Sequence, residues 1–454
     1  MSIPQSGGGP IESQAALAEY LAQGAKPKAE WRIGTEHEKF GFLTDTHAPL
    51  PYDGPRSISA LFRGLEERFG WAPIEEAGKT IGMKRGGANI SLEPGGQVEL
   101  SGAPLSNLHE TAAELDSHLA EVKALAEPLG IGFMGLGAAP AWRHEEMPVM
   151  PKGRYRLMTE YMGRVGTLGT AMMYRTCTVQ ANLDFGSEAD MAKKLRVALS
   201  FQPVATALFA HSPFWEGGLN GHKSWRSRIW RDLDAARTGM LPFVFEPGFG
   251  FQAYADYALD VPMYFVYRDG RYVDARGQSF RDFLKGRLPA LPGAAPTLSD
   301  WADHLTTIFP EARLKRFLEM RGADGGDRAH LLALPAFWTG LLYDEAALDA
   351  AWDIAKGWSH ETREGLRVAA SVSGLQGEAG GVTLHGLARQ AISLSEQGLK
   401  RRAIAGQGMA DETPYLAPLK ASLASGQVPA DELLALYRGE WGGDIGRIYE
   451  KRAY

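Results

Sequence analysis

A single cysteine, Cys177, is all the thiol the chain carries. That excludes a disulfide within the chain and a Cys₄ zinc site. The eleven histidines form no HExxH motif. The nearest approach, His37-Glu38-Lys39-Phe40-Gly41, has glycine in place of the second histidine, so a zinc hydrolase is not expected. No GxxxxGK[ST] loop occurs, which excludes a P-loop nucleotide site, and the glycines near 135–137 and 163–166 lack the spacing of a dinucleotide fingerprint. No apolar run is long enough to span a membrane. A basic excess is missing too: the formal net charge of −6 argues against a general nucleic-acid binder. The opening MSIPQSGGGPIESQ has neither the basic and apolar regions of a secretory signal nor the arginine of a transit peptide, and a cytoplasmic location is expected from it.

What is present reads as a globular enzyme, with 44% hydrophobic and 22% charged residues. Residues 1–10 read as a flexible N-terminus and 11–454 as one catalytic domain, with no repeat and no low-complexity linker. Residues 31–43 alternate as a strand that puts Gly34, Glu36, Glu38, Phe40 and Phe42 on one face. Residues 57–69 repeat as an amphipathic helix stopped by Gly70. Residues 90–101 read as two strands around a turn at Pro94-Gly95-Gly96. A long helix is expected over 108–129, a short buried strand over 131–136, and a helix over 188–210. Between 175 and 185, Thr176, Thr178, Gln180, Asn182 and Asp184 point one way. Cys177, Val179, Ala181, Leu183 and Phe185 point the other, which makes Cys177 a packing residue. At least one strand is expected near 261–267, and helices through most of the chain beyond Asp300. The class is α+β, with a curved, mainly antiparallel sheet and surrounding helices.

Glu36 and Glu38 stand side by side on one strand face, where their repulsion demands solvent or a cation. An isolated Glu-x-Glu is ordinarily a solvated strand face. Glu93 and Glu99 on a second, glycine-interrupted strand, with the polar face of 176–184, point instead to one concave acidic surface. Hard oxygen ligands of this kind suit Mg²⁺, which a few carboxylates and substrate phosphates hold together. Lys84, Lys152, Arg154, Arg226 and Arg321 lie beside glycines, prolines or aromatics and are candidates to grip phosphate or carboxylate.

The segments WRIGTEHEKFGF (31–42), ISLEPGGQVELSGAPL (90–105), MPKGRYRLMTEYM (150–162), MMYRTCTVQANLDF (172–185) and HLTTIFPEARLKRFLEMRGAD (304–324) closely resemble the plant-type glutamate–cysteine ligases, a family also found in α-proteobacteria. The resemblance runs in order from about Ile11 to the C-terminal GEWGG. It implies the fold of the glutamine-synthetase-like carboxylate–amine ligases, with ATP as co-substrate and two or three Mg²⁺ ions. It implies phosphorylation of the glutamate γ-carboxylate and displacement by the amine of cysteine, the first step of glutathione biosynthesis. The implied partners are small molecules, with glutathione a candidate feedback inhibitor. By position, Glu36, Glu38, Glu93, Glu99 and Glu319 fall on the metal set, with Glu38 and Arg321 catalytic. Arg226 and Tyr264 fall on the glutamate pocket, and Arg154, Lys152 and Lys84 on the nucleotide side. Gln180 stands where a more distant branch has histidine. The plant enzymes' regulatory cysteines are replaced by Ala112, Ala275, Ala290 and Leu332, so thiol switching within the chain is not expected. A covering loop is expected between 212 and 257. A γ-glutamyl ligase for another amine and a two-metal hydrolase are the competing readings.

Overall fold

The alternation over 31–43 becomes an eleven-residue strand, β1 (Ile33–Leu43), in the computed structural model of the chain, which describes residues 7–454. It lies inside a nine-stranded sheet with β2 (Ala72–Glu76), β3 (Lys79–Arg85), β4 (Ala88–Leu92), β5 (Val98–Ser101), β6 (Ile131–Met134), β7 (Thr178–Leu183), β8 (Ala312–Leu314) and β9 (Leu318–Asp324). The order is β8-β9-β7-β1-β5-β4-β3-β2, with β6 on the second half of β1. Every pairing in this sheet is antiparallel, as the class expected.

The turn between β4 and β5 explains the glycines at 95 and 96. Gly96 has φ +84°, and a Cβ on Gly95 would stand 2.3 Å from the carbonyl oxygen of Tyr174. Only glycine meets both demands. Helix Ile58–Phe69 starts at Ser57, whose hydroxyl accepts the Ala60 N–H at 3.2 Å, and stops at Gly70 with φ 70°. Such a cap is worth about 1 kcal/mol.

The back of the sheet is covered by helices Leu108–Ala126, Glu188–Leu208 and Arg328–Leu342, which pack on β1, β9 and β7. Val179, Ala181 and Leu183 enter this helical core, while Phe40, Phe42, Ile90 and Leu100 join a second apolar cluster with Tyr155 and Met172. Each fully buried Leu or Phe contributes about 1.5–3 kcal/mol. Among the described residues no helix is long and apolar enough to cross a membrane.

Helices fill most of the chain beyond Asp300, as expected, but 312–324 supplies two strands among them. All seven residues of β9, LEMRGAD, are buried, so no alternation marks them. Leu, Glu, Met, Arg and Ala also favour helix, and pairing with β7 overrides that preference. At the N-terminus, Gly9 accepts the Leu298 N–H at 3.1 Å and Pro10 bridges to Thr297, so the chain is docked before residue 11. Residues 1–6 of the expected flexible segment lie outside the described residues.

Cys177 packs with no exposure, and burial pushes its thiol well above the usual range. A thiol reagent is therefore expected to leave the native protein unlabelled and to label one site per chain after denaturation. Activity is expected to be equal under reducing and mildly oxidising conditions. Stoichiometric labelling of the native protein would contradict the packing.

Candidate active site

The antiparallel register sets β1 between β5 and β7, so Glu38 faces Glu99 directly and Glu36 lies between Ser101 and Gln180. Like charges directly opposite in a sheet repel. Glu36 is buried and Glu38 half-buried, and loss of hydration is the main cause that raises both. Glu36 is raised further by Glu99 and Glu319. Glu38, which sits well above the usual carboxylate range, is raised further by Glu93 and Glu99. Partial compensation comes from the Thr178 N–H, which donates to Glu38 at 2.9 Å, and from the Asn182 amide, which donates to Glu36 at 2.8 Å. Ser91 and Ser101 donate to Glu99 at 3.1 and 2.9 Å. Glu93 accepts from the Tyr155 hydroxyl at 3.3 Å.

These four glutamates line one cleft of about 770 Å³, counted to its open mouth. Arg154, Arg226, Arg313 and Arg321 line the same cleft. Arg226 is carried by helix Trp225–Trp230, and its Nη2 donates to the backbone oxygen of Arg321 at 2.9 Å. Arg321 Nη1 donates to Gln180 at 2.6 Å, so Gln180 aims an arginine. Burial, reinforced by Arg313, lowers Arg321 to about 10, which leaves it charged at neutral pH. Arg154 stacks 5.1 Å from the Phe265 ring and touches the Thr306 hydroxyl at 3.3 Å. Arg154 Nε and Nη1, Arg226 Nε and Arg321 Nε are buried without a protein partner. Four orphaned donors on three residues that line one cleft are costly unless an acceptor arrives. The cleft thus has an acidic floor and a cationic wall.

Several expected residues stand apart. Lys84 is exposed on β3, between Ala72 and Asn89 and outside the cleft lining. Lys152 is buried, with Nζ donating to the Leu92 carbonyl at 2.8 Å, and burial lowers it to about 8. It props the end of β4 and does not line the cleft. Tyr264 is buried under the Arg237 guanidinium, 4.0 Å from its ring, and also lies off the cleft. Glu319 is fully buried, and although burial pushes it up, Arg313, Lys315 and Arg321 outweigh that and hold it well below the usual range. One oxygen is paired with Arg313 and the Lys315 ammonium stands 2.7 Å from the other, Oε1, which has no hydrogen-bond partner; Glu319 is not among the residues that line the cleft.

The stretch 212–257, where a covering loop is expected, holds the short hairpin Phe214–Leu219, helix Trp225–Trp230 and the start of helix Phe251–Asp260, with mainly turns and bends over 231–250. Arg313, Trp230, Thr306 and Tyr155 line the cleft without having been singled out in the sequence. For Arg313 the missing signal is β8 itself, three buried residues with no alternation to mark them. Tyr155, one residue from Arg154 in PKGRYR, was within reach.

Among the described residues no three His, Cys, Asp or Glu side chains form a ready-made metal cage. The donor chemistry still fits a hard divalent cation, because the carboxylates of Glu36 and Glu38 repel their acidic neighbours and a cation would relieve this.

A model of the glutamate–cysteine ligase family 2 matches residues 32–451. The chain belongs to that family. As a family 2 ligase it is 54% identical to the chloroplastic glutamate–cysteine ligase of Brassica juncea over 438 residues, 96% of this chain and 84% of that one. The chloroplastic ligase of Arabidopsis thaliana matches at 54% over 438 residues, 96% and 82% of the two chains. In fold, the ligase resembles the crystal structure of a glutamate–cysteine ligase from Francisella tularensis in complex with AMP. That match has a TM-score of 0.55 and 13% identity, and covers 93% of this chain and 89% of the other. The cytoplasmic location expected from the opening residues is overturned by the plant relatives, which are chloroplastic and point to the plastid.

Proposed function

We propose that residues 11–454 act as one catalytic unit, in which the cleft on the sheet joins glutamate to cysteine at the expense of ATP. The family's reaction is ATP-dependent formation of γ-glutamylcysteine, the first step of glutathione synthesis. The observation that carries the assignment to this cleft is its polarity: repelling carboxylates on one side, buried arginines with unpartnered N–H groups on the other.

Arg226, with Nε unpartnered beside Glu38, is suited to hold the α-carboxylate of glutamate. Arg321, aimed by Gln180, meets the γ-phosphoryl group as it moves to the γ-carboxylate. Arg154, stacked on Phe265, takes the nucleotide side. Glu36, Glu38, Glu93 and Glu99 would hold Mg²⁺, two or three ions, and Glu319 is left out because it does not line the cleft and is paired with Arg313 and Lys315. Bound Mg²⁺ would neutralise charge on the triphosphate and on the transferring group. The γ-glutamyl phosphate is a mixed anhydride that water destroys, and the wall of Met158, Met172, Met173 and Trp230 keeps bulk water from it until the amine arrives.

Phosphate release from ATP tests this reading. It is expected to need glutamate, to rise strongly with cysteine, and to fall away across a panel of other amines. Equal turnover with several amines would replace cysteine by a broader acceptor class. Phosphate release independent of glutamate would remove the assignment.

A further inference from the structure

Behind the cleft wall lies a carboxylate that is not itself part of the cleft lining, on a residue paired with the lining Thr178. Asp324 ends β9, is 1% exposed, and accepts three hydrogen bonds. The His211 N–H donates to Oδ2 at 2.8 Å and the Ser212 hydroxyl to the same oxygen at 2.6 Å. The Ser224 hydroxyl donates to Oδ1 at 2.7 Å. A Cβ on Gly137 would stand 2.2 Å from the Asp324 Cγ, so the carboxylate is clamped against backbone and has no alternative place.

Each serine oxygen is in turn an acceptor. Ser224 precedes helix Trp225–Trp230, and its oxygen accepts the Ser227 N–H at 3.1 Å. The Ser212 oxygen accepts the backbone N–H of Arg226 itself at 3.2 Å. Asp324 therefore orients both hydroxyls: by taking their hydrogens it turns both oxygens toward the helix. The element it holds carries Arg226, whose buried guanidinium feels Asp324 and then Glu38 as its largest compensating charges.

We infer that Asp324 is a positioning residue, which sets the aim of Arg226 through the paired hydroxyls of Ser212 and Ser224. The inference rests on the proposed contact of Arg226 with glutamate. Asp324→Asn keeps the shape but replaces one acceptor oxygen by a donor amide. If that amide faces Ser224, two donors point at one serine oxygen and its hydrogen has no acceptor. A hydrogen bond to a charged group lost in this way corresponds to about tenfold or more in an equilibrium.

The test is steady-state kinetics of Asp324→Asn, Ser212→Ala and Ser224→Ala, each alone and combined with Arg226→Ala, with thermal melts of every variant. The glutamate KM is expected to rise about tenfold in Asp324→Asn and by less in the serine variants, with the ATP KM little changed. In the Arg226→Ala background the same changes should add nothing to the glutamate KM, because the group they position is gone. Should Asp324→Asn not fold, the serine variants carry the test alone. If Arg226→Ala raises the glutamate KM and the second-site changes still multiply it, or if glutamate and ATP KM rise together, the positioning role is overturned. If Arg226→Ala leaves the glutamate KM unchanged, the underlying assignment of Arg226 fails instead.

Discussion

Glu38→Gln is expected to lower kcat/KM by about 10²–10³-fold or more, while the protein without divalent cation melts at a higher temperature than the wild type. The two halves of that result have one cause. Glu38 faces Glu99 across the strand pair and sits near Glu93, in a place where burial already disfavours its charge. Its proton is held more tightly in the folded chain than in the unfolded chain, so at neutral pH the ionised form opposes folding. Glutamine removes that opposition, and relief of a directly opposed pair is worth roughly 0.2–1 kcal/mol. The wild type should regain stability as Mg²⁺ is added, since a ligand that binds only the folded state raises its melting point. Glu38→Gln should respond far less, and Glu36→Gln should follow the same direction. Differential scanning fluorimetry with a Mg²⁺ titration reads this apart from turnover. An unchanged Mg²⁺ response in both variants, or near-wild-type turnover in either, would remove these carboxylates from the cation site.

The arginines should divide the kinetic parameters between them. Arg226→Ala is expected to raise the glutamate KM by about 10²-fold, because a bidentate contact with the α-carboxylate exists before and during phosphoryl transfer. Arg321→Ala is expected to lower kcat by about 10²–10³-fold with a much smaller change in KM, because it meets charge that develops in the transition state. The separation will not be complete. Arg226 Nη2 braces the backbone carbonyl of Arg321, so its loss should also lower kcat a few-fold. Lysine at either position keeps the charge but loses the planar fork, and should restore only part of the activity. Identical signatures for the two alanine variants would abolish the division of roles.

The cleft's acidic floor was legible in the sequence because each of its strands declares itself. β1 and β7 alternate, and β4 and β5 flank a turn whose glycines have no substitute. Arg154, Arg226 and Arg321 were legible through their unusual neighbours and the family likeness. What stayed hidden was hidden for physical reasons. β9 is buried on both faces and built from helix-favouring residues, so neither period nor propensity exposes it. β8 is three residues long and fully buried, so no period marks Arg313, and nothing in the linear order shows that it and Lys315 pair with Glu319. Lys84 and Lys152 carry the right charge in a suggestive setting, but a side chain's direction is decided by pairings that only the folded sheet supplies. The same holds for Tyr264, drawn away from the cleft by Arg237.

The order of strands in the sheet also bears on how the chain acquires its activity. The Thr178 N–H that meets Glu38 comes from 140 residues away, and the Gln180 that meets Arg321 is separated from it by another 141. Closing a loop of that length costs about 4 kcal/mol of chain entropy before any contact offsets it. Non-local pairing of this kind is slow. A chain emerging from the ribosome therefore holds its acidic strand pair early, as a repelling and incomplete surface. It gains the opposing arginines only once residue 324 is free to reach β7. Competence to turn over substrate should thus appear late and all at once in refolding, lagging behind the helical signal, with no partially active intermediate along the way.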